Sequence, residues 1–302
     1  MSFESLTSLV ESCTKQNKEF WQIVCETDMK ESSMTEEQEF AKMRGMWNAM
    51  LAAADAYDKN IESSSGLSGG DGGRFADYIA AGSPLCGDFT GKVIAYALQT
   101  AESNACMKRI VAAPTAGSCG VLPAVLVPLY RDKKFTDDEI IQGLFVSAGI
   151  GQVIANRASI SGAEGGCQAE IGAASAMAAG TLVFLRKGTS GQIMFAAGFA
   201  LQNLLGLVCD PVAGLVEVPC IKRNVVGAVN ALSCADMALA GIVPKIPADE
   251  VIDAMKQVGN CMNTTLKETG HGGLAATQTG RQIAERLSAA AQPAITTSKA
   301  EE

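Results

Sequence analysis

The stretch IIQGLFVSAGIGQVIANRASISGAEGGCQAEIGAASAMAAGTLVF, residues 140–184, carries only three charged side chains, Arg157, Glu164 and Glu170. Alanine and glycine dominate the remainder. A run this long, this apolar and this small in side-chain volume suits helices packed closely inside other helices. Alternating β-branched residues are scarce along the whole chain, and aromatics make up 5% of it, so strands have little to build on. The fold class read from this is all-α.

Working outward from that centre, residues 3–25 and 35–62 space apolar positions three and four apart among charges, as in Phe40, Met43, Met46, Trp47 and Met50. This suits amphipathic outer helices, and the Met and Trp stripe reads as core packing. Further helices are expected near 76–105, 120–130, 137–160, 167–186, 190–207, 224–240 and 248–262. The Ser/Gly-rich segment from Ile61 to Arg74 reads as a mobile loop, and the stretch from Ala291 to Glu302 as a frayed tail. The expected organisation is amino-terminal helices over 1–62 packing on a helical core over 63–290, followed by the tail at 291–302.

A net charge of −8 and a pI near 4.9 exclude a broad basic surface for nucleic acid, which needs cations to neutralise phosphates. The most apolar stretch, IMFAAGFALQNLLGLV from Ile193, is interrupted by Gln202 and Asn203 and is short for a membrane span, so a buried core helix is expected there and no membrane partner. The amino terminus MSFESLTSLVES is acidic and has no continuous apolar segment of the secretory kind. Ten cysteines without such a signal point to a reducing, cytoplasmic setting with free thiols.

Three of those cysteines stand in distinctive surroundings. Cys167, Cys209 and Cys220 lie in GAEGGCQAE, LVCDPVAG and EVPCIKRN, a C-x41-C-x10-C spacing. Gly165 and Gly166 let the backbone before Cys167 approach a neighbour closely. Asp210-Pro211 after Cys209 and Pro219 before Cys220 mark places where helix breaks and the chain can turn toward a ligand. Three thiolates can hold a metal centre with one position left open, because an iron–sulfur cluster normally takes four. The competing reading is three small packing residues, the usual role of free cysteine. Cys13, Cys25, Cys86, Cys106, Cys119, Cys234 and Cys261 are read mainly in that way, with Cys119 set apart by its place in a candidate site loop.

The segments GAEGGCQAEIGAASAMAAG, LGLVCDPVAGLVEVPCIKRN and APTAGSCGVLPAVL together resemble the α subunit of the iron–sulfur-dependent L-serine dehydratases. The similarity runs from SSSGLSGGDGGR at Ser63 to TGHGGLAATQTGR near the end. The resemblance implies a helical catalytic domain in which Cys167, Cys209 and Cys220 bind a [4Fe-4S] cluster at loops and helix ends. It also implies β-elimination of water from L-serine, the open iron taking the substrate hydroxyl and stabilising charge on the leaving oxygen. The aminoacrylate formed becomes pyruvate and ammonia. Single-chain members carry an additional amino-terminal domain, so the expected partner is a separate β subunit.

Two glycine-containing loops are candidate substrate contacts. Pro114-Thr115-Ala116-Gly117-Ser118-Cys119-Gly120 precedes an apolar run and could present N–H groups at a helix start, where carboxylates bind well. An ordinary N-cap by Ser118 or Thr115 explains it equally on local grounds. The resemblance favours substrate, which assigns Thr115, Gly117, Ser118 and Gly120 to the amino-acid carboxylate. Ser65, Gly66 and Gly70 form a second candidate, as an anion cradle or as a plain linker.

The base that removes the weakly acidic α-proton is the least legible part. Lys108 and His271, the only histidine, are the candidates, each with the alternative of an exposed surface residue. Glu164, Gln168, Glu170, Arg223 and Asn224 are read as groups surrounding the centre, or equally as mutually paired structural residues. The same holds for Asp210. Competing functions are an iron–sulfur L-cysteine desulfidase and a non-catalytic helical scaffold. A pyridoxal phosphate enzyme is not expected, since the strand–helix alternation it should show is missing.

Overall fold

The computed structural model describes residues 3–82 and 84–291, and among these the regular structure is helical, with one isolated bridge between Cys209 and Lys267. The residues from 292 onward, expected as a tail, lie outside the described part. Helix α9 (Ala173–Leu185) is the axis of the molecule, every one of its residues being buried. Its alanines and Gly180 keep it thin. A Cβ on Gly180 would collide with Ile150 Cδ1 and lie 3.2 Å from Ile193 Cγ2, so the missing methyl is what lets the neighbouring helices close in. Those neighbours are α7 (Asp137–Arg157), α10 (Ser190–Gln202) and α11 (Cys220–Leu239).

The amino-terminal region forms three helices, α1 (Leu6–Gln16), α2 (Phe20–Ser32) and α3 (Glu36–Asp55), with α2 and α3 lying on α7. The single helix expected over 3–25 is broken at Asn17, which adopts a left-handed conformation (φ 52°) and caps α1 by donating to the carbonyls of Cys13 and Thr14. Asparagine tolerates that region better than most residues. Trp47 and Met50 of the expected stripe are buried, while Met46 is exposed. Likewise 76–105 is two helices, α4 (Asp71–Ala81) and α5 (Asp88–Ala105), parted at Gly82 and Gly87. Helix α6 (Val121–Arg131) packs on α5, and α12 (Ala248–Cys261) on α10.

Two elements were not expected. A short helix α8 (Gly162–Gly165) leads into a π-helical turn, Gln168–Gly172, immediately ahead of α9. An amphipathic α13 (Gln278–Ala291) packs against the turns Val212–Gly214 and Gly273–Ala276. Thr136, Thr189 and Thr35 start α7, α10 and α3 with reciprocal capping boxes to Glu139, Gln192 and Gln38. One continuous core runs from Leu6 and Trp47 through α9 to Met255. Gln168–Leu185 is long and apolar enough to cross a membrane by composition, and it is 94% buried inside the protein. In the Ile193 stretch Ile193 and residues 196–201 are buried, and its helix ends at Gln202, short of the expected 207.

Candidate active site

Cys167, Cys209 and Cys220 come from three separate segments and are all buried, with free thiols. Cys167 follows Gly166, whose φ of 76° and close approach to Met262, 2.6 Å from a would-be Cβ, admit no side chain. Cys209 lies in the loop after α10 and is stitched to the 264–268 strand of backbone: its N–H donates to Leu266 O at 2.8 Å, and Glu268 N–H donates back to Cys209 O at 2.8 Å. Cys220 is the first residue of α11, so that helix begins four residues earlier than expected, directly after Pro219.

Burial pushes each of the three thiols up to about 12. Each also feels one of the others: Cys220 acts on Cys167, Cys167 on Cys209, and Cys209 on Cys220. Arg223 pulls all three down and Glu170 pushes all three up. Three thiolates in such a place are therefore costly by themselves and require a cationic centre, which deprotonates coordinating thiols outright. Among the described residues, no three His, Cys, Asp or Glu side chains close on a point at the spacing of a single metal ion. Three soft sulfur donors are the ligand type that an iron–sulfur cluster takes.

Arg223 is anchored by its own contacts. Its Nη1 donates to Val208 O at 2.7 Å, and Nη2 lies 2.8 Å from Asp210 Oδ1, deep in the protein. That ion pair is close but misaligned, and Oδ1 is left without a directed hydrogen bond among the described residues. The other oxygen, Oδ2, accepts from Leu274 N–H at 2.7 Å. Asp210 thus ties the Cys209 loop to the turn at 273–276, and fixes the arginine beside Cys167.

Glu170 is the finding that sequence reasoning placed only among the surrounding groups. It stands on the π-helical turn, half-buried. A Cβ on Gly117 would lie 3.3 Å from both its carboxylate oxygens, and one on Gly162 would lie 2.9 Å from Oε2 and 3.1 Å from Cys209 Sγ. Its carboxyl therefore fills the space between the 114–120 loop and the cysteines. Burial raises its pKa above the ordinary glutamate range; the Thr115 hydroxyl pulls it down and Glu268 pushes it further up. A π-turn at this point is a common device of functional sites, since the extra residue re-aims one side chain. No sequence pattern in QAEIG signals it.

The 114–120 loop does meet this site, but only in part. Thr115 and Gly117 are half-exposed, whereas Ser118 and Gly120 are buried. The Ser118 and Thr115 hydroxyls pair with each other at 3.0 Å, and Gly120 N–H donates to Asn224 Oδ1 at 2.8 Å. Asn224 Nδ2 donates to Gly117 O at 2.8 Å and Cys220 O at 3.0 Å, joining the loop to α11. Cys119 is fully buried, with its thiol pushed up to about 12, and packs.

The Ser/Gly loop expected to be mobile is held in place instead. Ser63 Oγ donates to Glu217 Oε2 at 2.6 Å, Ser65 Oγ to Oε1 at 2.8 Å, and Ser68 Oγ also to Oε2. The N–H groups of Asp71 and Gly72, after Gly70, donate to the buried Glu102 carboxylate at 2.8 and 3.1 Å. Gly66 N–H donates to Ser63 O. The loop's donors are thus spent on internal carboxylates and carbonyls. Its link to the cysteines is Glu217, three residues before Cys220.

Lys108 is exposed at the end of α5, beside Cys106 and Glu102. His271 is exposed on the loop that covers Cys209 and Asp210, its N–H donating to Thr269 Oγ1 at 3.4 Å. Gln168 is structural, bridging Met255 O and Gly206 N–H, and Glu164 is exposed and accepts from Ser159. Cys86 and Cys261 are exposed, unlike the packing thiols they were read as, while Cys13, Cys25 and Cys234 are buried. A hollow of about 410 Å3 behind α8 is bounded by Glu164, Met255, Lys256 and Lys267, with none of the three clustered thiols on its wall.

Fold and site define an all-helical protein whose buried thiol trio, one arginine and one carboxylate share a space reached from a glycine loop. The chain belongs to the serine dehydratase alpha chain family, whose profile matches residues 15–275. It is 45% identical over 285 residues to the probable L-serine dehydratase alpha chain of Bacillus subtilis, covering 94% of this chain and 95% of that one. It is 44% identical over 279 residues to the L-serine dehydratase alpha chain of Peptoniphilus asaccharolyticus, covering 91% and 94%. With an L-serine dehydratase of Helicobacter pylori it shares 38% identity over 286 residues, which are 91% of this chain and 62% of that protein.

Proposed function

We propose that the protein is the α subunit of an L-serine dehydratase that eliminates water from L-serine to give pyruvate and ammonia. The observation that carries this reading is the gathering of Cys167, Cys209 and Cys220 in one buried space with Glu170 and the Thr115–Gly117 edge of a glycine loop. Near-full-length relatives named L-serine dehydratase alpha chains support it. The three cysteines would hold a [4Fe-4S] cluster, which when bound supplies a Lewis acid with an open coordination position for a hydroxyl leaving group.

The remaining work falls to the chain itself. Of the four loop residues assigned to the substrate, Thr115 and Gly117 are left accessible, with Ser118 and Gly120 supporting them from beneath. Arg223, fixed by Asp210 and Val208, offsets negative charge beside Cys167. A separate β subunit completes the enzyme, as the alpha-chain designation of the two near-full-length relatives suggests.

The test is anaerobic purification with iron and sulfide analysis, and L-serine turnover measured with and without the β subunit. Four irons per chain, lost when Cys167, Cys209 or Cys220 is changed to alanine but kept in Cys234→Ala, together with pyruvate from the pair, is the expected result. Turnover of L-cysteine in place of L-serine would replace the substrate, and a colourless protein after anaerobic reconstitution would remove the cluster.

A further inference from the structure

We propose that Glu170 is the base that takes the α-proton of the substrate, an inference that rests on the dehydratase reading above. Two features place it there. The π-helical turn Gln168–Gly172 sets Glu170 three residues after Cys167, with its carboxyl toward the 114–120 loop. Gly117 and Gly162 leave room for that carboxyl, and a methyl on Gly162 would touch it and Cys209 together. Lys108 and His271, by contrast, are exposed on the end of α5 and on an outer loop.

Glu170 is also under-used as a structural group. Gln168 of the same turn bridges two backbone groups, and buried Glu102 and Glu217 each accept from three donors. Glu170 has Thr115 beside it and is half-buried, so its oxygens keep room for a further proton donor. In the reaction its carboxylate takes the Cα proton, and the C–H electron pair becomes the Cα=Cβ bond. The Cβ–O bond breaks with hydroxide leaving, and the proton on Glu170 joins it as water. The carboxylate is restored.

The experiment compares wild-type, Glu170→Gln and Glu170→Asp chains, each loaded with iron and paired with the β subunit. It reads pyruvate formation, iron content, and deuterium uptake from D2O at Cα of L-alanine, which has the α-proton but no leaving group. Glu170→Gln is expected to keep wild-type iron, lose Cα exchange, and fall about 10²–10⁴-fold in kcat with little change in KM. Glu170→Asp is expected to recover part of both. Exchange at the wild-type rate in Glu170→Gln overturns the proposal. So does a rise in KM with kcat intact, which would make Glu170 an anchor for the substrate ammonium. Wild-type protein that forms no pyruvate from L-serine overturns the dehydratase reading itself, whereas an active wild type with an equally active Glu170→Gln removes only the base.

Discussion

Glu170 illustrates how a functional group costs stability. Folding buries its carboxyl beside Glu268, so the folded chain holds the proton to higher pH than the unfolded chain does. Folding therefore takes up a proton between the two values, and stability falls as pH rises through that window. Glu170→Gln removes the penalty. The iron-free variant is expected to gain on wild type in urea between about pH 4, near the ordinary glutamate value, and about pH 8. An equal difference at both pH values would show that folding leaves the proton affinity of the carboxyl unchanged. Asp210 is the opposite case, a buried carboxylate retained because Arg223 and Leu274 N–H oppose its charge, where losing the arginine would strand it. The sequence showed both acids only as charges in apolar surroundings. One became a pair and the other a poised group, and that difference depends on neighbours distant in sequence, such as Leu274 for Asp210 and Thr115 for Glu170, and on a one-residue π insertion, neither of which leaves a local signature.

At the scale of elements, the central helices were legible because small and apolar residues continue without interruption through α7 and α9, whereas boundaries set by single residues were not. Asn17 divides one amphipathic pattern into α1 and α2, and Gly82 and Gly87 do the same between α4 and α5. Helix α13 was missed because its apolar face is carried by few residues, chiefly Ile283 and Leu287. The Ser63–Gly70 loop was misread for a different reason. Serine and glycine composition is that of a linker, and only the acceptor 149 or more residues away, Glu217, converts its hydroxyls into a clamp. Because Glu217 stands three residues before Cys220, in the bend ahead of α11, the clamp also bears on a ligand of the proposed cluster. Glu217→Ala should free both ends of this contact. In the iron-free protein, hydrogen exchange at amides 63–70 is expected to accelerate, and Cys220 to be alkylated faster, with Cys234 in the core unchanged. Uniform acceleration across α9 as well would mean that the whole fold had loosened, and the local clamp would lose its support.

For the whole molecule, the overall helical architecture was anticipated from hydrophobic patterning, whereas the cysteine trio was proposed through a family resemblance that spacing alone could not have supplied. The proposed β subunit is the part that the sequence of one chain cannot display. In the Helicobacter pylori relative, the region matching this chain is 62% of the protein, so there the matched region and the remaining chain are covalently joined. Covalent linkage through a short flexible connection holds two modules at an effective concentration of about millimolar, independent of dilution. If this α chain works with a separate β subunit, its activity must instead obey mass action. Specific activity of the loaded pair on L-serine is therefore expected to fall as total protein is lowered through the dissociation constant, and to be restored by excess β subunit. A fusion of the two chains should hold its specific activity flat over the same dilution. Flat activity in both would mean either that dissociation is negligible at every concentration tested or that the α chain acts alone, and omission of the β subunit separates the two.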